Sequence, residues 1–305
     1  MHRFAPMNHP RHPTSPAAPS RQATPRRLRR AAAVLAALAF ALAPAAAGAG
    51  IESDWSATGS GAVRLLAGAR SGDQLDGGVE IRLAPGWKTY WRYPGDSGVP
   101  PQFDWSGSEN LAGVDILWPA PHRFDDGDGA YSIGYKHDVI LPFHATPKDP
   151  TRPVSLRLKL DFAVCEKICQ PAHAEAALDI PATGAAPSPP ELLAALAAVP
   201  QHGELGGAGP TALESARLVE VDGAAAVRIE ARVADPAKAD LFVEGPDEAW
   251  ALPLPQARPA ADGRVVFLMP LEGMPKGADL TATGLRFTLV DGDRAIELTA
   301  PVSAP

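Results

Sequence analysis

Short segments in which apolar and polar residues alternate recur along the first half of the chain. Residues 79–83 read Val-Glu-Ile-Arg-Leu, which is the two-residue period of a half-buried strand. Further strands are predicted at 88–93, 114–118, 139–144, 154–164 and 174–180. In the strand predicted at 154–164, the apolar residues on one face are Val154, Leu156, Leu158, Leu160 and Phe162. The pattern therefore predicts a β-structure.

A second β pattern follows a stretch at 182–190 that is rich in Ala, Pro and Gly and reads as a linker. Residues 190–199 predict a short helix, because Pro190 suits its first turn and Pro200 ends it. Beyond the helix, strands are predicted at 216–221, 225–233, 240–244, 264–269, 285–290 and 295–302. This spacing predicts a second β-sandwich of about a hundred residues.

The composition supports this interpretation and excludes two classes of protein. The 305 residues include 33 prolines and 28 glycines, which suit short strands joined by turns. The net charge is −7, and no basic patch is interleaved with aromatic residues, so we expect no binding to nucleic acid. We also expect no transmembrane segment in the mature chain. No cofactor motif is present, so none is predicted.

The first 50 residues read as a disordered N-terminus followed by a cleaved signal peptide. Residues 26–30 carry four arginines, residues 31–43 are apolar, and small residues follow at 45–50. The apolar run is shorter than the roughly 20 residues that span a bilayer. We therefore predict export to a bacterial periplasm, an oxidising compartment.

Cysteine occurs only at Cys165 and Cys169, directly after the strand predicted at 154–164. The pair therefore lies at or near the turn of a hairpin, where cross-strand distances allow a disulfide. Closing a loop of about five residues gives roughly 2 kcal/mol of stabilisation, compared with about 3 kcal/mol for fifteen residues. A disulfide across so short a loop stabilises the fold only weakly, which favours a disulfide that is reversibly reduced and re-formed.

Four motifs in order give the chain a specific resemblance. They are the segment Gly-Trp-Lys-Thr-Tyr-Trp-Arg-Tyr-Pro-Gly-Asp-Ser-Gly-Val-Pro at 86–100, Trp-Pro-Ala-Pro-His-Arg-Phe at 118–124, Gly-Tyr at 134–135 before Val-Ile-Leu-Pro at 139–142, and Val-Cys-Glu-Lys-Ile-Cys at 164–169. Residues 52–181 thereby resemble the N-terminal periplasmic domain of DsbD-type thiol:disulfide interchange proteins. The ScsB-like branch, in which two β domains precede the membrane part, is the most similar.

The resemblance implies an all-β protein with two immunoglobulin-like β-sandwich domains, joined by a linker with a short helix. The expected boundaries are 51–181 for the redox domain, 182–209 for the linker and 210–305 for the second sandwich. Tyr93 stands where many relatives have Asn. The sequence contains neither a transmembrane electron-transfer domain nor a thioredoxin-like domain, so another protein would supply the electrons.

The resemblance also implies the chemistry of the cysteine pair. Cys165 and Cys169 would accept electrons from a membrane thiol reductase or thioredoxin-like protein and pass them to periplasmic disulfide proteins. Such a module would be a component of a thiol–disulfide oxidoreductase system, although its status as an enzyme in its own right stays open. Cys169 is expected to attack the partner. Lys167 and His173 are close enough in sequence to favour a thiolate.

A cap over the cysteines is also implied by the resemblance. Its candidates are an acidic loop with Asp125, Asp126 and Asp128, and an aromatic lid from Tyr131 and Tyr135. A plain solvated turn is the alternative interpretation of this loop.

Two other functions stay open at this stage. Cys165, Cys169 and His173 recur at intervals of four, which on a helix would form one face able to hold copper(I) or zinc. Pro171 argues against such a helix. A copper-binding or copper-tolerance module is therefore the second hypothesis. A structural β-sandwich with an inert disulfide is the third.

Overall fold

A computed structural model describes residues 51–183, 187–260 and 263–305 of the chain. The predicted signal peptide lies outside these ranges. Within them the protein is built from β-strands with a single α-helix, which confirms the all-β prediction. No helix in the described ranges is long and apolar enough to cross a membrane.

The first eleven strands form an immunoglobulin-like sandwich, called here the N-terminal sandwich. Its strands are β1 Ser56–Ala57, β2 Gly61–Ser71, β3 Gln74–Leu83, β4 Lys88–Gly95, β5 Gln102–Asp104, β6 Leu111–Ile116, β7 His122–Gly127, β8 Ala130–Tyr135, β9 Val139–Pro147, β10 Val154–Cys165 and β11 Cys169–Ile180. One sheet has the order β1-β2-β3-β9-β6. The other has the order β11-β10-β4-β8-β7, with β5 also paired to β10.

The alternation read from the sequence of β10 determines which side of the strand faces the core. Its apolar positions from Val154 to Phe162 are at most 3% exposed. They share a core with residues of the opposite sheet, such as Leu65 and Leu141. Polar residues between them point outwards. β10 pairs with β11 in unbroken antiparallel register from Val154 opposite Ile180 to Cys165 opposite Cys169.

The helix α1 spans Pro190–Ala197, with proline in its first turn as the sequence predicted. It lies against the first sheet through Leu192, which is fully buried. Gly68 and Gly78 leave room for that side chain, because a Cβ at either position would lie 2.8 or 3.1 Å from Leu192.

The remaining strands form a second immunoglobulin-like sandwich, called here the C-terminal sandwich. Its strands are β12 Gln201–His202, β13 Ala212–Val221, β14 Ala224–Arg232, β15 Ala239–Glu244, β16 Gln256–Pro259, β17 Arg264–Pro270, β18 Leu285–Asp291 and β19 Arg294–Ala300. One sheet has the order β12-β19-β18-β15, and the other has the order β13-β14-β17-β16. Its own core includes Phe267 and Phe287.

The two sandwiches meet at an interface that contains both apolar and charged groups. Trp91 of β4 packs edge-on against Phe242 of β15, with ring centroids 5.7 Å apart. The guanidinium of Arg92 is paired with Glu244 and Glu297. The Tyr93 hydroxyl donates to the Leu252 carbonyl oxygen at 2.7 Å. The strand β4 therefore contacts the C-terminal sandwich directly.

Candidate functional site

The two cysteines face each other across the end of the β10–β11 hairpin. Cys165 is the last residue of β10, and Cys169 is the first residue of β11. The two residues are register partners, and their Sγ atoms lie 2.6 Å apart. The hairpin thus holds the two sulfurs within reach of disulfide formation without a rearrangement of the backbone.

Strand β4 supplies two side chains to the cysteine pair that the sequence analysis did not single out. Lys88 is the register partner of Cys165 on the other side of β10. The Tyr90 hydroxyl lies 2.9 Å from Sγ of Cys169. Both residues belong to the 86–100 motif that carried the family resemblance. Their proximity to the sulfurs depends on the pairing of β4 with β10, which sequence periodicity does not report.

The two cysteines differ in their exposure to solvent. Cys165 is only 7% exposed, whereas Cys169 is exposed. Burial raises the pKa of the Cys165 thiol, and the neighbouring Cys169 raises it further, while Tyr90 and the ammonium of Lys88 oppose the rise. Cys169 is therefore the sulfur that another protein can reach first.

Tyr90 is suited to donate a hydrogen bond to sulfur. Burial raises the pKa of its hydroxyl well above the ordinary value, and the two cysteines raise it further. The phenol consequently keeps its proton at neutral pH. A protonated hydroxyl 2.9 Å from Sγ of Cys169 can stabilise negative charge on that sulfur.

A β-hairpin formed by β7, its turn and β8, called here the cap hairpin, lies beside the cysteines. Its carboxylate Asp126 accepts from Lys88 and, at 2.7 Å, from the Ser97 hydroxyl. Burial raises the pKa of Asp126, but these hydrogen bonds outweigh it and the pKa is lowered overall. Lys88 also donates to Ser132 at 2.7 Å. The ammonium that faces Cys165 is therefore tied to the cap hairpin.

These groups share one open cavity of about 750 Å³. Its walls include Lys88, Tyr90, Phe124, Asp125, Asp126, Cys165, Lys167 and Cys169. The cavity thus brings together both cysteines and three of the predicted modulating residues. Those three are Asp125, Asp126 and Lys167.

The remaining predicted cap residues, Asp128, Tyr131 and Tyr135, belong to the cap hairpin but do not line this cavity, so the two tyrosines do not form the expected aromatic lid there. Tyr135 is buried in the core of the N-terminal sandwich, and its hydroxyl donates to the Pro119 carbonyl oxygen at 2.9 Å. Tyr131 packs against that core with its ring 5.6 Å from Arg123. The aromatic residues that line the cavity are Tyr90 and Phe124, and the ring centroid of Phe124 is 5.3 Å from Nζ of Lys88.

The acidic segment forms the end of a strand and a tight turn rather than a loop. Asp125 and Asp126 belong to strand β7, and only Asp128 and Gly129 separate it from β8. Asp128 has a positive φ of 53°, as the tight turn requires. The strand escaped prediction because β7 is an edge strand with mostly exposed positions, which leaves no alternation to read.

The helical metal-binding face is contradicted by the structure. Cys165, Cys169 and His173 lie on the two strands of a hairpin rather than on one helix. His173 is instead 2.7 Å from Asp161 on the neighbouring strand, and this contact raises its pKa. No group of three metal-ligating side chains is found in the described part of the chain.

The N-terminal sandwich thus carries one buried and one exposed cysteine at the end of a hairpin. Residues 62–181 match the family described as "Thiol:disulfide interchange protein DsbD, N-terminal". Residues 198–305 match a family described as a domain of unknown function (DUF8393). No curated protein matches the chain.

Among solved structures, the N-terminal periplasmic domain of ScsB from Proteus mirabilis has the same fold. The two chains superpose with a TM-score of 0.63 at 21% sequence identity. The match covers 84% of this chain and 99% of the other, so it includes both sandwiches. The resemblance stated from the sequence is thereby confirmed.

Proposed function

We propose that this protein is a periplasmic dithiol–disulfide exchange module. It passes electrons between a membrane thiol reductase or thioredoxin-like protein and periplasmic disulfide proteins. The observation that carries the proposal is the cysteine pair itself, with register-paired sulfurs 2.6 Å apart and one of them exposed. The family match of residues 62–181 supports the same chemistry.

In the reducing half of the cycle, a partner thiolate attacks Sγ of Cys169 in the Cys165–Cys169 disulfide. The bond between the two cysteines breaks, and Cys165 leaves with the electron pair and takes up a proton. A second cysteine thiolate of the partner then attacks the partner's first sulfur in the mixed disulfide and releases Cys169. Two electrons have moved to this protein, and the partner is left oxidised.

In the second half, the Cys169 thiolate attacks the disulfide of a periplasmic substrate and forms a new mixed disulfide. Cys165 then attacks Sγ of Cys169 and expels the substrate as a dithiol. The geometry supports these roles, because Cys169 is exposed to a partner and Cys165 is buried next to it. Tyr90 and Lys88 stabilise the charge that develops on sulfur in each step.

The roles predict which single-cysteine variant traps a partner. Cys165→Ser leaves the exposed Cys169 without its resolving thiol, so we expect a persistent mixed disulfide with periplasmic proteins. Cys169→Ser leaves only a buried thiol and should trap much less. The assay is non-reducing electrophoresis of acid-quenched periplasm, followed by mass spectrometry of the adducts.

The control is the double variant, which has no thiol and should give no adduct. If neither single variant captures a periplasmic or membrane-reductase partner, electron transfer is refuted and an inert disulfide becomes the better interpretation. A stronger adduct with Cys169→Ser would reverse the assigned roles.

A further inference from the structure

Arg123 of the cap hairpin forms several hydrogen bonds to the C-terminal sandwich. Arg123 of β7 reaches across the interface to Asp240 of β15. Its Nη2 donates to Oδ1 at 2.6 Å, and its Nε donates to Oδ2 at 3.1 Å. The same guanidinium donates to the Pro255 carbonyl oxygen at 3.1 Å. This two-pronged contact fixes orientation as well as distance.

Strand β7 lies at the edge of its sheet, so main-chain pairing holds it on one side only. The sheet order ends β4-β8-β7, so β8 is paired on both sides and β7 on one. The free side of β7 has no strand partner in that sheet. Arg123 ties this edge strand to a separate sandwich.

The next residues along β7 are those of the cysteine cavity. Phe124 and Asp126 both line it, as does Arg123 itself. Asp126 is paired with Lys88, which is the register partner of Cys165. Asp240 is thus linked to the buried Cys165 through Arg123, the backbone of β7, Asp126 and Lys88.

We propose that the C-terminal sandwich is a positioning domain for the redox site: through Asp240 it anchors Arg123 and so holds the cap hairpin closed beside Cys165. This gives a role to a region whose matched family has no assigned function. The inference rests on the proposed exchange function for its biological meaning. Its physical content, which is control of access to Cys165, does not need a partner protein.

The test is the alkylation rate of Cys165 in the mature, reduced two-sandwich protein. The Cys169→Ser background leaves a single thiol, and iodoacetamide labelling is followed by mass spectrometry under native conditions. We expect Asp240→Asn to accelerate labelling about tenfold, which corresponds to about 1.4 kcal/mol in favour of the open hairpin. Asp240→Glu, which keeps the charge, should restore most of the protection.

The matched control is Glu244→Gln. It removes a carboxylate charge from the same strand and the same interface, but its partner is Arg92 of β4 rather than a residue of the cap hairpin. We expect it to change labelling by less than about twofold. Urea unfolding of each variant shows how much labelling comes from global opening.

Should Asp240→Asn fold poorly, Arg123→Lys replaces it, because a single ammonium cannot make the paired contact. Equal acceleration of Cys165 labelling by Asp240→Asn and Glu244→Gln would overturn the proposal. Unchanged labelling in both Asp240→Asn and Arg123→Lys would overturn it as well. Such a failure leaves the exchange function intact if Cys165→Ser still traps partners. If Cys165→Ser traps no partner but Asp240→Asn still accelerates labelling of Cys165, only the exchange function is refuted.

Discussion

The hydrogen bond from Tyr90 to Cys169 provides a quantitative test of the site. In Tyr90→Phe the ring stays in its buried position, and only the hydroxyl 2.9 Å from Sγ is lost. A thiolate accepts this bond more strongly than a disulfide sulfur does, because it carries a full negative charge. The hydroxyl therefore stabilises the reduced form more than the oxidised form.

The size of the effect follows from the energy of one hydrogen bond. A net contribution of about 0.5–1.5 kcal/mol corresponds to about 10–30 mV for a two-electron couple. Because the reduced form loses stabilisation, the reduction potential of Tyr90→Phe should become more negative by this amount. The variant should be the better reductant at equilibrium.

The assay equilibrates each protein in glutathione or dithiothreitol buffers of stepped potential and counts free thiols by maleimide gel shift after acid quenching. Tyr93→Phe is the matched control. It removes the same atom, but its hydroxyl donates to the Leu252 carbonyl oxygen in the C-terminal sandwich. Its potential should move by less than about 5 mV. An unchanged or more positive potential in Tyr90→Phe would refute the assigned role of the hydroxyl.

Two further predictions concern stability. Gly134→Ala should lower the free energy of unfolding by about 1–3 kcal/mol, because the added Cβ would lie 2.0 Å from the Thr89 carbonyl oxygen. The control is Gly113→Ala, whose added Cβ would meet nothing within 4 Å. It should leave the free energy of unfolding nearly unchanged in the same urea titration. Asp291→Asn should cost about 1.5–3 kcal/mol at pH 7, since the carboxylate accepts from Thr211 and two backbone N–H groups. Burial raises the pKa of Asp291, but those hydrogen bonds lower it overall. Its stabilisation is therefore present above the unfolded pKa and is lost as the pH falls through the folded one. The gap between wild type and Asp291→Asn should begin to shrink as the pH falls below about 4, and a gap that keeps its pH 7 size down to the lowest pH at which the wild type stays folded would contradict this assignment.

The local pattern of the chain was enough to predict the β-architecture and the position of the cysteines. The alternation in 154–164 identified β10, and its one apolar face is the buried face in the structure. Pro190 correctly marked the start of the helix. Such features depend on neighbours within a few residues, so they can be read directly from the sequence.

Only the tertiary structure showed which side chains surround the sulfurs. Lys88 and Tyr90 lie more than 70 positions before the cysteines, and their approach depends on how β4 pairs with β10. Sequence proximity favoured Lys167, and the family resemblance favoured a lid of Tyr131 and Tyr135. Neither singled out Lys88 or Tyr90.

The link from Asp240 to the cap hairpin is likewise a contact between two separate sandwiches, 117 positions apart in sequence. No local period encodes it, because each sandwich satisfies its own alternation whether or not they meet. Strand register and domain packing are decided by the burial of surfaces that lie far apart in sequence. They place Lys88, Tyr90 and the cap hairpin beside the cysteine pair.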